Sequence, residues 1–190
     1  MLELHVIILA AGKGMRMHSS LPKALQPLAG KPMLYYVLQR AEELNPKMIH
    51  LVYGFGGDKI CAALTDYQLN LVEQKEQLGT GHAVQQVLPL LPKQGRVLVL
   101  FGDVPLISLT SLHNLIKNTP AEKIGLLTVN LPDPTGFGRI VRDASYAITG
   151  IVEEKDATPE QRAITEINTG IMLFPASFLH KHLLKLQSVN

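Results

Sequence analysis

The stretch from His5 to Lys23, HVIILAAGKGMRMHSSLPK, decides how this chain is read. An aliphatic run, Val6 to Ala10, stops at two glycines, with Lys13, Arg16 and Lys23 among and beyond them. A short apolar block bounded by glycine reads as a buried strand. Glycine at positions 12 and 14 lets the main chain bend with positive φ and approach a ligand with no Cβ in the way. Successive backbone N–H groups then form an anion-binding nest. The three cations supply the positive charge that a polyphosphate needs.

Two common phosphate loops do not fit. The dinucleotide pattern G-x-G-x-x-G would need a third glycine where Met17 stands, and an acidic residue about 20 positions on, near Pro32. An NAD-dependent oxidoreductase is therefore a poor reading. The P-loop needs four residues between its first glycine and G-K-[ST], and no stretch supplies them.

Outward from the loop, strand-like blocks alternate with helix-like ones. Strands are predicted at 6–10, 48–54, 69–74, 96–103 and 123–131, and helices at 33–44, 58–65, 79–91 and 108–118. Pro32 suits a helix start, and Ser108 suits an N-cap. This rhythm predicts βαβ units and a mostly parallel sheet with helices on both faces. After residue 131 it gives way to two shorter strands, in GFGRIVRD and ITGIVEEKD, and a polar helical turn or loop, TPEQRA. A further strand, INTGIMLFP, and an amphipathic helix, ASFLHKHLLKLQ, complete the chain. The end at LQSVN, directly after that helix, raises the expectation of a piece of something longer.

Composition narrows the classes. The chain has 190 residues, 46% of them hydrophobic and 18% charged, enough for one sizeable core and a single domain over 1–190. Mean hydropathy is +0.15, yet no apolar run approaches the roughly 18 residues of a membrane span. The start lacks the basic region of a secretory leader. One cysteine, Cys61, excludes an internal disulfide framework and fits a reducing cytoplasm. It reads as a small core filler on an amphipathic helix. A net charge of +2, without clustered Lys/Arg or tryptophan, argues against nucleic acid as a partner.

The segment LAAGKGMRMHSSLPK resembles the signature of the sugar-1-phosphate nucleotidylyltransferases, L-x-x-G-x-G-T-x-M-x(4)-P-K. Leu9, Gly12, Gly14, Met17, Pro22 and Lys23 fall in register, and Met15 replaces the threonine. EQLGTGHAVQQ, FGDVPLI, LPDPTGFGRIVRD, GIVEEKDAT and EINTGIM follow in the order found in one branch. That branch is the N-terminal pyrophosphorylase domain of the bacterial bifunctional UDP-N-acetylglucosamine pyrophosphorylases/acetyltransferases. The resemblance runs over essentially the whole chain. It implies a three-layer, Rossmann-like α/β fold, with a separate left-handed β-helix domain, absent here, through which the parent enzymes form trimers.

The resemblance also implies the reaction: a phosphate oxygen of N-acetylglucosamine 1-phosphate attacks the α-phosphorus of UTP, with Mg²⁺, and pyrophosphate leaves. That nucleophile is already ionised near neutral pH, so no general base is needed. Positioning and charge neutralisation carry such chemistry. The absence of a Ser-His-Asp or Cys-His constellation agrees.

Asp103 ends the fourth predicted strand, where open α/β sheets bind ligands. By resemblance it is the Mg²⁺ ligand, with a second ligand expected beyond residue 190. Its bland role is a cap for VPLIS. Lys23 and Arg16 resemble the residues that hold the triphosphate and neutralise pyrophosphate, and Lys13 is a helper. Leu9, Ala10, Ala11 and Gly12 resemble the backbone that the nucleotide meets. Gln74 matches the uracil reader, since an amide offers both a donor and an acceptor. Gly79 and Thr80 complete that pocket, although GTG is also an ordinary helix start. Gln77 suits base reading or loop holding. His82 suits catalysis less well than packing.

At the sugar end Gly138, Glu153 and Asn168 match the family's binders, with Gly138 giving close backbone approach. The bland roles of Glu153 and Asn168 are an exposed strand charge and a turn residue before Gly170. Phe101 and Phe137 stand where tyrosine is usual, and Phe101 with Gly102 borders the site. A sister nucleotidylyltransferase with another base or sugar, and a non-catalytic nucleotide-sugar binder, are the alternative readings. The site is expected at the carboxyl ends of the first, third and fourth strands.

Overall fold

A computed structural model describes residues 2–12, 14 and 19–186. In chain order the elements are β1 (Leu4–Ala10), β2 (Pro27–Leu28), β3 (Lys31–Pro32), α1 (Met33–Glu43), β4 (Met48–Tyr53), α2 (Gly57–Ala62), β5 (Asn70–Glu73) and α3 (Thr80–Val87). There follow β6 (Arg96–Phe101), α4 (Leu109–Asn118), β7 (Gly125–Asn130), β8 (Arg139–Arg142), β9 (Ile148–Val152), α5 (Pro159–Arg162), β10 (Glu166–Pro175) and α6 (Ala176–His182). The chain divides into two compact units, 1–125 with 172–190, and 126–171.

The first unit is a parallel sheet in the order β5-β4-β1-β6. The last residues of β10, Met172–Pro175, run antiparallel along β6. Val6, Ile7 and Ile8 of β1 have no accessible surface, as the unbroken aliphatic run predicts for a strand covered on both faces. Ile7 and Leu9 pack with Ala83, Val84 and Val87 of α3 and with Leu179 of α6. On the opposite face Ala10 lies near Leu34 of α1. A Cβ placed on Gly102 would sit 3.2 Å from both side chains. Helix, sheet and helix thus form three layers.

Local chemistry sets the element ends. Ser108 caps α4 by accepting from the Ser111 N–H at 3.0 Å, a bond worth about 1 kcal/mol. The helix predicted over 79–91 stops at Val87 and tightens into a 3₁₀ turn, Leu88–Leu90. Pro89 has no N–H to continue the α pattern. The helix predicted over 58–65 shortens to Gly57–Ala62, and the last one ends in a 3₁₀ turn, Leu183–Lys185. Cys61 is half-buried rather than a core filler, because Ile60 takes the core position on that helix.

Two histidines are buried toward the amino ends of β1 and β4. His5 Nδ1 lies 3.1 Å from His50 Nε2, and the Asn70 amide lies 3.3 Å from His50 Nδ1. An amide donating to Nδ1 leaves Nε2–H to donate to His5, so both rings are neutral. Burial, and then the neighbouring His5, push His50 down from 6.5 to about 4.

The second unit contains antiparallel pairs. β8 pairs with β9, Ile167 of β10 pairs with Arg139 of β8, and β7 pairs with β10. The fifth predicted strand thus pairs with β10 and not with β6. The place beside β6 is taken by the end of β10. The turn TPEQRA becomes α5 with a full capping box between Thr158 and Gln161.

Arg139 is only 1% exposed. It donates to the Phe137 carbonyl and, at 2.6 Å, to Glu154 Oε2. That guanidinium, followed by the Gly136 N–H, holds the Glu154 carboxyl below its usual range. Glu166 receives both Nε (2.8 Å) and Nη2 (2.7 Å) of Arg142 and is pushed down to about 2.

The buried histidines give a pH prediction. A histidine with a lower pKa folded than unfolded makes the unfolded state the better proton binder. Stability is then complete above about 6.5 and falls as pH drops toward 4. A lowering of this size corresponds to on the order of 3 kcal/mol. Urea midpoints measured across that window should fall for the native chain and fall less for His50→Asn.

Candidate active site

The carboxyl ends of β1, β5 and β6 and the start of α3 enclose a cavity of about 590 Å³, within the range of small-molecule sites. Leu9, Ala10, Ala11 and Gly12 line the side formed by β1. Gln74, Gln77, Gly79 and Thr80 line the side formed by β5 and α3. Phe101 and Asp103 close it from β6, and Ala24 and Ala83 add apolar surface. Gly102 does not line the cavity. It packs behind it against Ala10, Ala24 and Leu34, where a Cβ would be tight at 3.2–3.3 Å.

The glycine loop differs in one detail from the expectation. Gly14 has φ +58, and a Cβ there would lie 2.9 Å from Lys23 Cβ. Gly12 lacks the positive φ expected of it. A Cβ there would meet no described residue within 4 Å, and Gly12 lines the cavity. Lys13, Arg16 and the signature positions Met15 and Met17 lie outside the described residues.

Lys23 opens a short 3₁₀ turn after Pro22, and its Nζ lies 2.6 Å from Asp103 Oδ2. The side chains are 43% and 29% exposed, so both remain open to solvent and ligand. Asp103 does not cap the helix that follows, a role taken by Ser108. Among the described residues there is no group of three or more His, Cys, Asp or Glu side chains that could cage a metal. One carboxylate at the edge of a cavity open to water and substrate is nevertheless enough for Mg²⁺, because that ion keeps waters and takes substrate oxygens. Asp103 fits that ion by donor type and position.

On the opposite wall Gln74 is 3% exposed. Its main-chain N–H is held by the Tyr53 carbonyl at 2.7 Å. Its side-chain Nε2 donates to the Gly79 carbonyl at 3.1 Å and lies 3.0 Å from His82 Nδ1. Gln77 holds the loop, donating from Nε2 to the Gln74 carbonyl at 3.0 Å. Gly79 has φ +100 and is the N-cap of α3, so the helix-start role and a place in the wall coincide. His82 is half-buried and lies within hydrogen-bond distance of Gln74 and Gln86, so it is more than a packed ring.

The second unit brings Gly138, Glu153 and Asn168 together. The Asn168 N–H donates to the Gly138 carbonyl at 2.8 Å. A Cβ on Gly138 would lie 3.0 Å from Glu153 Oε1. Asn168 Oδ1 accepts from the Gly170 N–H at 2.8 Å, the local turn bond. Glu153 is exposed, whereas its neighbour Glu154 is engaged by Arg139. Phe137 is 45% exposed. Sequence reasoning missed Arg139. Its position next to Gly138 in GFGR, ahead of an acidic pair, was the available signal.

The sequence matches the MobA-like NTP transferase domain over residues 6–154. It is 52% identical over 185 residues to the bifunctional protein GlmU of Halorhodospira halophila, covering 97% of this chain and 38% of the relative. It is 53% identical over 190 residues to that of Xanthomonas axonopodis pv. citri, covering 100% and 41%. The chain thus spans about two fifths of the length of these curated relatives. In fold it is similar to HddC from Yersinia pseudotuberculosis, with a TM-score of 0.74 at 21% identity, covering 96% of this chain and 80% of that one. The same protein complexed with GMP-PN superposes with a TM-score of 0.72. With three quarters of its length matched by the family and a glycine loop leading into a cleft at the strand ends, this chain belongs to the MobA-like NTP transferase family.

Proposed function

We propose that this domain transfers the uridylyl group of UTP to N-acetylglucosamine 1-phosphate, giving UDP-N-acetylglucosamine and pyrophosphate. One observation carries the reading. A single cavity has a buried amide, Gln74, on one wall and an exchangeable cation–carboxylate pair, Lys23 and Asp103, on the other. The first suits a base edge and the second a metal-bound polyphosphate.

Bond formation between the sugar-phosphate oxygen and the α-phosphorus is balanced by loss of pyrophosphate. No proton needs to be removed from the nucleophile. Asp103 would hold Mg²⁺, which would supply Lewis-acid neutralisation of phosphoryl oxygens. The Lys23–Asp103 pair is worth only about 0–1 kcal/mol at such exposure. Lys23 therefore leaves the carboxylate at little cost and turns to the phosphates.

Gly12 admits the nucleotide close to the main chain, and Gln74, Gly79 and Thr80 meet the base. By resemblance Arg16 neutralises the departing pyrophosphate. In the second unit Gly138, Glu153 and Asn168 bind the sugar. The reading carries with it a cytoplasmic setting and, for a longer parent, a trimer.

Pyrophosphate release by the purified chain tests the proposal. Release should need UTP, N-acetylglucosamine 1-phosphate and Mg²⁺ together. Release that ignores the sugar phosphate or the metal would contradict it. Asp103→Asn should lower kcat by about 10²–10³-fold while the fold is kept. Gly14→Ala forces a side chain into left-handed backbone against Lys23, a strain of about 1–2 kcal/mol. Its affinity for UTP should fall about tenfold, as read by calorimetry.

A further inference from the structure

We infer that His82 is a positioning residue for base selection: it fixes which end of the Gln74 carboxamide faces the bound base. The inference rests on reading the cavity as a uridine nucleotide site.

A glutamine carboxamide is nearly symmetric in shape and opposite in chemistry at its two ends, one accepting and one donating. Uracil and cytosine differ at N3, a donor in the first and an acceptor in the second, and at C4, a carbonyl in the first and an amine in the second. A Gln74 that presents Oε1 to N3 selects uracil. Turned over about its last torsion, the same side chain presents NH₂ and selects cytosine. Specificity therefore needs something that holds the amide in one sense.

Two groups do so here. The Gly79 carbonyl, an acceptor only, lies 3.1 Å from Nε2. It is shared, because the Ala83 N–H of α3 also donates to it at 3.1 Å. His82 Nδ1 lies 3.0 Å from the same Nε2. Together they take both amide hydrogens and leave Oε1 as the end free for a ligand. No described residue is bonded to Oε1.

The tautomer follows from competition between two amides. His82 Nε2 lies 3.1 Å from Gln86 Nε2, which also donates to the His82 carbonyl at 3.1 Å. A neutral imidazole accepts at one nitrogen only, so one of the two amides must turn. Gln74 is buried at 3% exposure and faces a fixed carbonyl, and turning it would oppose two oxygens. Turning Gln86 also sets an oxygen against a carbonyl, that of His82, but this half-buried side chain has room to swing away from it where buried Gln74 has none. Gln86 therefore turns, Nε2–H donates to it, and Nδ1 remains the acceptor for Gln74. The helix that carries the ring is held firmly, because Ala83, Val84 and Val87 anchor α3 in the core.

Dissociation constants for UTP and CTP, measured by calorimetry on the full chain and on His82 variants, test the inference. The readout is the CTP/UTP ratio within each protein, which partial unfolding leaves unchanged. The native chain should prefer UTP. His82→Leu should lower that preference about tenfold, the effect of one lost buried hydrogen bond. His82→Asn, which can place an acceptor where Nδ1 stands, should restore it. His82→Gln, which places its polar atoms where Nε2 stands, should not.

If the leucine variant does not fold, the asparagine and glutamine pair decides. A native chain that binds both nucleotides equally overturns the reading as a uracil site, and this inference with it. A native chain that discriminates, with His82→Leu or His82→Gln discriminating equally well, overturns the inference alone.

Discussion

The first unit depends on one constraint, the burial of β1 on both faces. Val6 to Ile8 contribute nothing to the surface, and their neighbours on both sides are parallel strands paired through six residue positions each. A strand clamped in that way cannot shift. Its end, where the chain must leave the sheet, is therefore a fixed point. The glycines sit there, and the ends of β5 and β6 lie at the same edge because the sheet is parallel. A ligand site at that edge inherits its rigidity from apolar packing that never touches the ligand.

On that frame the polar groups divide by how firmly they are held. Gln74 is immobilised by buried hydrogen bonds to backbone and ring. Lys23 and Asp103 are held by each other at an exposed position. A base needs discrimination between nearly identical shapes, which a preorganised amide provides. A metal-bound triphosphate needs strong charges that can change partners, which a weak exposed ion pair allows. In the second unit the same division separates two adjacent acids. Glu154 is engaged by buried Arg139, and Glu153 is left exposed beside Gly138.

Much of this was legible in the sequence. The aliphatic run before Gly12, Ser108 as a cap and TPEQRA as a helical turn all follow from local chemistry, and the structure contains each. The cleft at the ends of the first, third and fourth strands follows from the parallel topology. The place of β7 was not legible, because alternation of strand and helix says nothing about which edge a strand joins. The end of β10, some 70 residues after β6, is the strand that lies beside β6. Gly12 was assigned a positive φ because glycine permits it, yet only Gly14 uses it. The roles of His82 and Arg139 depend on contacts across loops and strands that no spacing reveals.

The claim at the centre of this account is that a uridine triphosphate sits between Gln74 and the Lys23–Asp103 pair. The most direct measurement is a titration of the ¹⁵N-labelled chain with UTP and Mg²⁺, followed by NMR. The account predicts that the Gln74 side-chain NH₂ and the amides of Gly12, Gly79 and Thr80 shift, while those of His5 and His50 stay in place. Saturable binding that leaves Gln74 and Gly79 unmoved would contradict it.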